Sequence, residues 1–325
     1  MSRFTARILS PSDEAPWAAL WQRVGGSLGL HWRWCACAAA GVGEPLRVGI
    51  FSSDGQLLAG IPFVHRRRRM RTEWHHPSPA SHAGLMASQD LMNSETALRE
   101  IFEALSALTQ RATTRAEMVL PTPVADVRGL LWQGWSAQPH YNYVSMIEEP
   151  GALARQSENA ARRQGAKAEA AGFALETGNH LRAEIFALWE KTQIRQNIPA
   201  YIHTSCYDML LEKSEGDGRG ISGLAAAVRN PTTKRIEAAA IIGQDSQRAY
   251  YLLGASDPDV EEGHGAPTYL HFALSDHLFR NRGKFAYDWV GANTPHIAQF
   301  KKKFRPRLET YLRCAQRQGM ARIIP

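Results

Sequence analysis

The chain has 325 residues, 44% hydrophobic and 21% charged, with four cysteines and a formal net charge of +7. This is ordinary globular composition, enough for one large or two medium domains, and its excess of cations favours anionic partners such as nucleic acid, nucleotides or phosphorylated substrates. Four cysteines are too few for a disulfide framework, no stretch reaches the roughly 18 apolar residues of a membrane span, and residues 1–10 lack the apolar core of a signal peptide, so the expectation is a cytoplasmic protein with no stable membrane insertion.

Trp17, Leu20, Trp21 and Val24 recur at helical spacing and predict a helix over 16–25. Cys35 and Cys37 have a one-residue gap and no second pair, so they read as small buried hydrophobes and not as a metal site. Residues 46–51 and 57–62 are apolar runs around an Asp54-Gly55 turn, a hairpin signal. A polar loop rich in proline and histidine is expected from 66 to 84. A helix over 96–109 carries Ile101, Leu105 and Leu108 on one face, and 118–120 is a short strand. Pro121, Pro123 and Pro139 mark the passage to a second unit. There, 158–171 is a basic helix closed by Gly172, and 180–196 and 206–213 are two more. Strands follow at 224–228, 236–242 and 249–254, then a helix over 267–282 and a strand over 285–290. Each half carries a hairpin flanked by helices, a duplication in pattern and not in residues.

Chemistry concentrates near the end. Tyr287-Asp288-Trp289-Val290-Gly291 brings an apolar strand to a carboxylate and a glycine. Phe300, Lys301, Lys302, Lys303, Phe304 and Arg305 then mix rings with cations. Further basic segments lie at 66–71 and on the helix bearing Arg162, Arg163 and Lys167, where spacings of three and four share a face. Together they predict at least one anion site. Gly263-His264-Gly265 opens a helix, as an anion cradle would, but Asp257, Asp259, Glu261 and Glu262 stand beside it and would repel a diphosphate. Asp288 is either a base tuned by partial burial or a carboxylate satisfied by strand-end N–H groups. Tyr250 and Tyr251 point to opposite faces of their strand; one is core and the other free to orient a substrate. His75, His76 and His82 read as a pocket wall, with no metal. There is no nucleophile elbow, Walker loop or dinucleotide fingerprint.

These motifs resemble the Fem-type peptidyltransferases and their relatives in the GNAT acyltransferase superfamily. The resemblance rests on 287–291 with Phe300, Lys301 and Phe304, on Tyr250-Tyr251-Leu252-Leu253-Gly254-Ala255 with Asp257-Pro258, on the helix opening at Ala160-Ala161-Arg162-Arg163, and on Leu58-Ala59-Gly60-Ile61-Pro62-Phe63 with the loop 75–84. It implies an α/β (α+β) fold of two tandem GNAT-like domains, each a mixed, mostly antiparallel sheet flanked by helices. The first would span 1–140, completed by a strand from 308–325, and the second, 141–307, would carry the transfer site. By position in the motif, Lys301 would face the donor's phosphate or the forming oxyanion. Phe300, Trp289, Arg195, His75, His76 and His82 would bind substrate, and Arg162, Arg163, Lys302, Lys303 and Arg305 would bind donor phosphate or RNA. Asp288 would take or relay the amine proton, and Tyr250 or Tyr251 would orient the reactants.

One departure concerns the donor. Coenzyme A enzymes of this superfamily place arginine or glutamine three residues before a glycine pair, and Val260 stands there. The expectation is therefore an amide-forming aminoacyltransferase with no permanently bound cofactor. Its donor would be aminoacyl-tRNA, and its acceptor a small-molecule or peptide amine. The alternatives are the same chemistry from acyl-CoA and a non-catalytic RNA- or anion-binding protein.

Overall fold

A computed structural model describes residues 3–69, 71–78, 84–124, 126–196, 204–212, 220–257 and 265–317, without the side chains of 195 and 196. In chain order the first elements are β1 Phe4–Ile8, α1 Glu14–Arg23, α2 Trp32–Ala39, β2 Glu44–Ser52, β3 Leu57–Arg68, β4 Arg71–His75, β5 Met86–Ala87, α3 Gln89–Asn93, α4 Glu95–Ala112, β6 Arg115–Leu120, α5 Arg128–Leu131 and β7 Ser136–Ile147. They are followed by α6 Ala152–Gln156, α7 Asn159–Ala170, β8 Ala174–Thr177, α8 Arg182–Gln196, α9 Ser205–Leu211, β9 Ser222–Arg229, β10 Ile236–Gln244, β11 Arg248–Ser256, α10 Ala266–Arg282, β12 Phe285–Asp288, α11 Pro295–Lys302 and β13 Arg307–Arg317. Among the described residues no helix is long and apolar enough to cross a membrane.

The chain divides into two compact units: Met1–His140 with Thr310–Pro325, and Tyr141–Glu309. In the first, the strands run β1-β2-β3-β4-β6-β13, with β5 beside β3. Among the described residues only β4 and β6 are parallel there, and the α4 helix lies between them in sequence. Ser94 caps α4 by accepting the Ala97 N–H, and Leu98, Ile101, Phe102 and Leu105 bury its apolar stripe against Ile50, Ile61, Phe63 and Met118. In the second unit the order is β7-β12-β11-β10-β9-β8. Here β11 and β12 are the parallel pair, joined by α10. Leu270, Leu274 and Leu278 of that helix pack on Ala226, Ala240, Ile242 and Phe285. A parallel pair needs such a crossover, so each unit is a mixed sheet built on the same device.

The strand after β6 pairs with β12, and the strand after β12 pairs with β6. Leu312 to Arg317 thus face Leu120 to Arg115, and Gln316 accepts the Thr109 hydroxyl at 2.9 Å. Three expectations shift. The stretch 66–84 is not all loop, because β3 runs to Arg68 and β4 fills Arg71–His75. The strand expected over 285–290 stops at Asp288, where the chain turns. Thiols at Cys35, Cys206 and Cys314 are buried, while Cys37 is half-buried.

Cys314 is fully enclosed in the first unit's core. Cys314→Asp should therefore lower unfolding free energy by roughly 3–5 kcal/mol, the usual consequence of an unpaired buried charge. Thermal and urea melts would measure it; an unchanged midpoint would mean that β13 does not complete this sheet.

Candidate active site at the fork between two strands

The site is built where β11 and β12 part. Their parallel pairing covers only Arg248 to Tyr250 against Ala286 to Asp288. Beyond this point β11 continues to Ser256, while the other chain turns toward β7: Trp289 N–H bonds the Tyr143 carbonyl at 2.9 Å and Ala292 N–H that of Tyr141 at 2.8 Å. Among the described residues, 251–256 of β11 has a strand on one side only, β10. A β-bulge adds to the divergence. Ile241 faces Leu253 and Ile242 faces Tyr251, so Leu252 is the extra residue. Alternation would otherwise put Tyr251 and Gly254 on opposite faces; the bulge puts them on one. A Cβ on Gly254 would stand 1.7 Å from the Tyr251 hydroxyl, so only glycine leaves room for that phenol. Thr192 of α8 meets Ser256 at the far end, donating its hydroxyl to the carbonyl at 3.2 Å.

The opposite wall is the turn 289–291. Val290 has φ +51° and Gly291 φ +90°. For a β-branched residue the left-handed region is a true outlier, costing on the order of 1–3 kcal/mol. Three side chains hold it. Asp288 Oδ1 accepts the Val290 N–H at 2.9 Å, and Asn142 Oδ1 accepts the Gly291 N–H at 2.7 Å. The Asn142 amide in turn donates to Asp288 at 2.9 Å. Lys301, 5% exposed, donates from Nζ to the carbonyls of Trp289, Val290 and Gly291, the last at 2.8 Å. Burial lowers its pKa to about 8, partly opposed by Asp288.

Behind the turn lies an aromatic cluster. His271 of α10 sits 4.7 Å, ring to ring, from both Tyr251 and Trp289, with Phe300 and Phe304 beside it. Lys303 Nζ lies over the Phe300 ring at 4.1 Å and donates to Thr268 Oγ1 at 2.7 Å, and burial takes its pKa to about 8 as well. Burial first, and then Lys303 and Lys301, hold the His271 pKa well below 6.5.

The expected site residues divide accordingly. Tyr251 is the tyrosine at the fork. Tyr250 is buried and gives its hydroxyl to Asp245 at 2.7 Å, which ties down the β10–β11 hairpin. Asp288 is fully buried, and its second oxygen takes Arg248 at 2.9 Å. Its partners include one backbone N–H, that of Val290, and the side chains of Asn142 and Arg248. An ammonium has three protons, and those of Lys301 meet three protein carbonyls. It brings charge to the fork, and each of its N–H groups has a protein carbonyl as partner. Trp289 is likewise fully buried, with its indole N–H on Ser145 at 3.1 Å, and forms a backing wall instead of a contact surface.

Lys302, Arg305, Arg162 and Arg163 are exposed. The fold brings their two helices together, since the Glu158 N–H before α7 bonds the Lys303 carbonyl at 2.9 Å. His75 and His76 belong to the first unit, where His75 Nε2 pairs with Glu73 at 3.0 Å. His82, the Arg195 side chain and the stretch 258–264, with Val260, Gly263 and His264, lie outside the described residues. Among the described residues no three His, Cys, Asp or Glu side chains are grouped to hold a metal. Sequence reading missed Arg248, Asn142 and His271. Arg248 bridges Asp288 and Glu309, and these two acids outweigh burial and raise its pKa.

No family model matches the sequence, and no curated protein matches it. Solved structures match its fold. FemX aligns with a TM-score of 0.68 at 14% identity, over 94% of this chain and 96% of that one. The chain has the FemX-like tandem GNAT fold. A tandem GNAT protein from the clavulanic acid biosynthesis pathway gives 0.54 at 11% identity, covering 97% and 99%. L-PGS from Bacillus licheniformis gives 0.58 at 12%, covering 96% and 94%.

The Lys301 charge has a measurable consequence. Its pKa is about 8 when folded, against an ordinary 10.5. Between these values the unfolded chain binds more protons, so its contribution to stability is full above 10.5 and is lost as pH falls through 8. The stability of wild type relative to Lys301→Met should therefore rise from pH 8 to pH 10 in denaturant melts. A flat or falling difference would contradict the burial of this lysine.

Proposed function

We propose that the chain is an amide-forming acyltransferase and that the fork between β11 and β12 receives the donor's acyl group. The parting of the two strands carries this reading. An open strand edge offers backbone N–H and C=O groups to an extended ligand, and here it lies beside Tyr251 and two buried lysines. In a dry site such charges act on a developing oxyanion more strongly than in water. The fold shared with FemX supports the same chemistry.

In the reaction the acceptor amine attacks the carbonyl carbon of an ester or thioester. The C–N bond forms as the carbonyl π pair moves to oxygen. The pair then returns, the C–O or C–S bond breaks, and the leaving group takes the proton that the amine gives up. Positioning and oxyanion stabilisation supply the rate. Lys301 contributes charge and holds the turn, Asp288 and Asn142 fix the turn, and Tyr251 orients the reactants. Phe300 lines the acyl group, Arg195 binds the acceptor, a small-molecule or peptide amine, and His75, His76 and His82 are substrate-binding residues of the first unit.

Aminoacyl-tRNA is the proposed donor. The net charge of +7 and the exposed cations Arg162, Arg163, Lys302 and Arg305 suit a polyanion. Acyl-CoA is the second reading, favoured by the start of α10. Gly265 is left-handed there, with a Cβ position only 2.1 Å from the Gln164 carbonyl oxygen, and Lys303 reaches the first turn; a helix start with a cation suits a diphosphate.

The decisive assay incubates the protein with a pool of charged tRNAs, or with acyl-CoAs, plus cell extract, and follows new amides by mass spectrometry. An amide formed from charged tRNA is expected. Salt-dependent RNA binding without an amide from either donor would instead support the non-catalytic reading. Lys301→Ala should lower kcat/KM, because it removes a charge from the fork and releases the turn 289–291; full turnover would remove this lysine from the account.

A further inference from the structure

Lys301 has no N–H left for a substrate, so the oxyanion needs another hydrogen-bond donor in the same cluster. Tyr287 fixes which group can serve. Its hydroxyl is completely buried and lies 3.0 Å from His271 Nδ1, its one hydrogen-bond partner among the described residues. A buried hydroxyl is stabilised by giving its proton to an acceptor, and Nδ1 is the acceptor within its reach. Tyr287 therefore donates and Nδ1 is the lone-pair nitrogen. A neutral imidazole carries its one proton on the other nitrogen. Burial and two lysines keep this ring neutral. His271 is 1% exposed, and no partner for Nε2 is found among the described residues. Nε2 is not one of the fully enclosed polar atoms that lack a partner, so it reaches the surface of the cluster, where a ligand can meet it.

We infer that the His271 Nε2–H is the side-chain donor that meets the oxyanion of the tetrahedral intermediate, with Tyr287 setting its tautomer from behind. This rests on the acyl-transfer reading of the fork. A neutral imidazole is suited to the task, since its N–H can donate but is too weak an acid to lose its proton to the oxyanion. Two lysines supply the charge, and the histidine supplies the directed bond. Tyr251, 4.7 Å away ring to ring, links the imidazole to the fork. The electron pair that moves onto the carbonyl oxygen is held by this N–H until it returns and expels the leaving group. His271 keeps its proton throughout.

The test has two independent arms. In the wild-type protein without substrate, 15N spectra of His271 should show the Nε2–H tautomer and no titration between about pH 5.5 and 7.5. The Nδ1–H tautomer, or an imidazolium forming near pH 6.5, would overturn the inference. In the kinetic arm, His271→Leu should lower kcat about 10²–10³-fold with KM little changed. His271→Gln keeps an N–H at similar reach and should recover roughly tenfold or more of that loss. Equal loss in both variants, or full turnover in the leucine variant, would overturn it. If the leucine variant does not fold, the spectrum and the glutamine variant decide. Failure of the acyl-transfer reading is a separate result, since it would appear as wild-type protein that makes no amide.

Discussion

The structure of the site depends on one buried ammonium. Lys301 binds three successive carbonyls, and the middle residue of that turn, Val290, has φ +51°. Such a conformation is unfavourable by on the order of 1–3 kcal/mol for a branched residue. Hydrogen bonds to a charged group stabilise by about 1.5–3 kcal/mol each, so the clamp can offset the strain. The clamp in turn sends the chain after Asp288 along β7 and away from β11. Without that turn β12 could continue beside β11, and the fork would close into plain sheet.

Two local irregularities, one on each side, therefore make the opening. On one strand a bulge at Leu252 changes side-chain parity and brings Tyr251 over Gly254. On the other, the strained turn ends the pairing. Buried between and behind them are rings, two lysines of lowered pKa and a neutral histidine. Burial makes both cations costly to keep charged. Their retention beside an open strand edge is what an anionic transition state would use.

Much of the fold was legible from periodicity. The amphipathic stripe of α4 follows from apolar spacing, and the two hairpins from apolar runs around polar turns. The short edge strand β1, helix α2 and the early part of β7 were not legible, because their burial patterns are irregular or partly polar. The cationic segment was visible as a feature, but its orientation was not. Periodicity cannot show that Lys301 turns inward while Lys302 stays exposed. Asp288 reads as a free carboxylate until Arg248, 40 residues earlier, and Asn142, 146 earlier, are brought to it by the sheet. Tyr250 and Tyr251 could be told apart in facing but not in role, because the bulge that decides the role has no local signature.

The central claim is that the β11–β12 fork binds the acyl end of the donor. It is tested most directly by hydrogen exchange with and without a stable amide-linked analogue of an aminoacylated tRNA 3′ end. The account predicts slowed exchange at 251–256 and 289–292, with other strands of the second unit unchanged. Binding of the analogue with no change at either segment would contradict it.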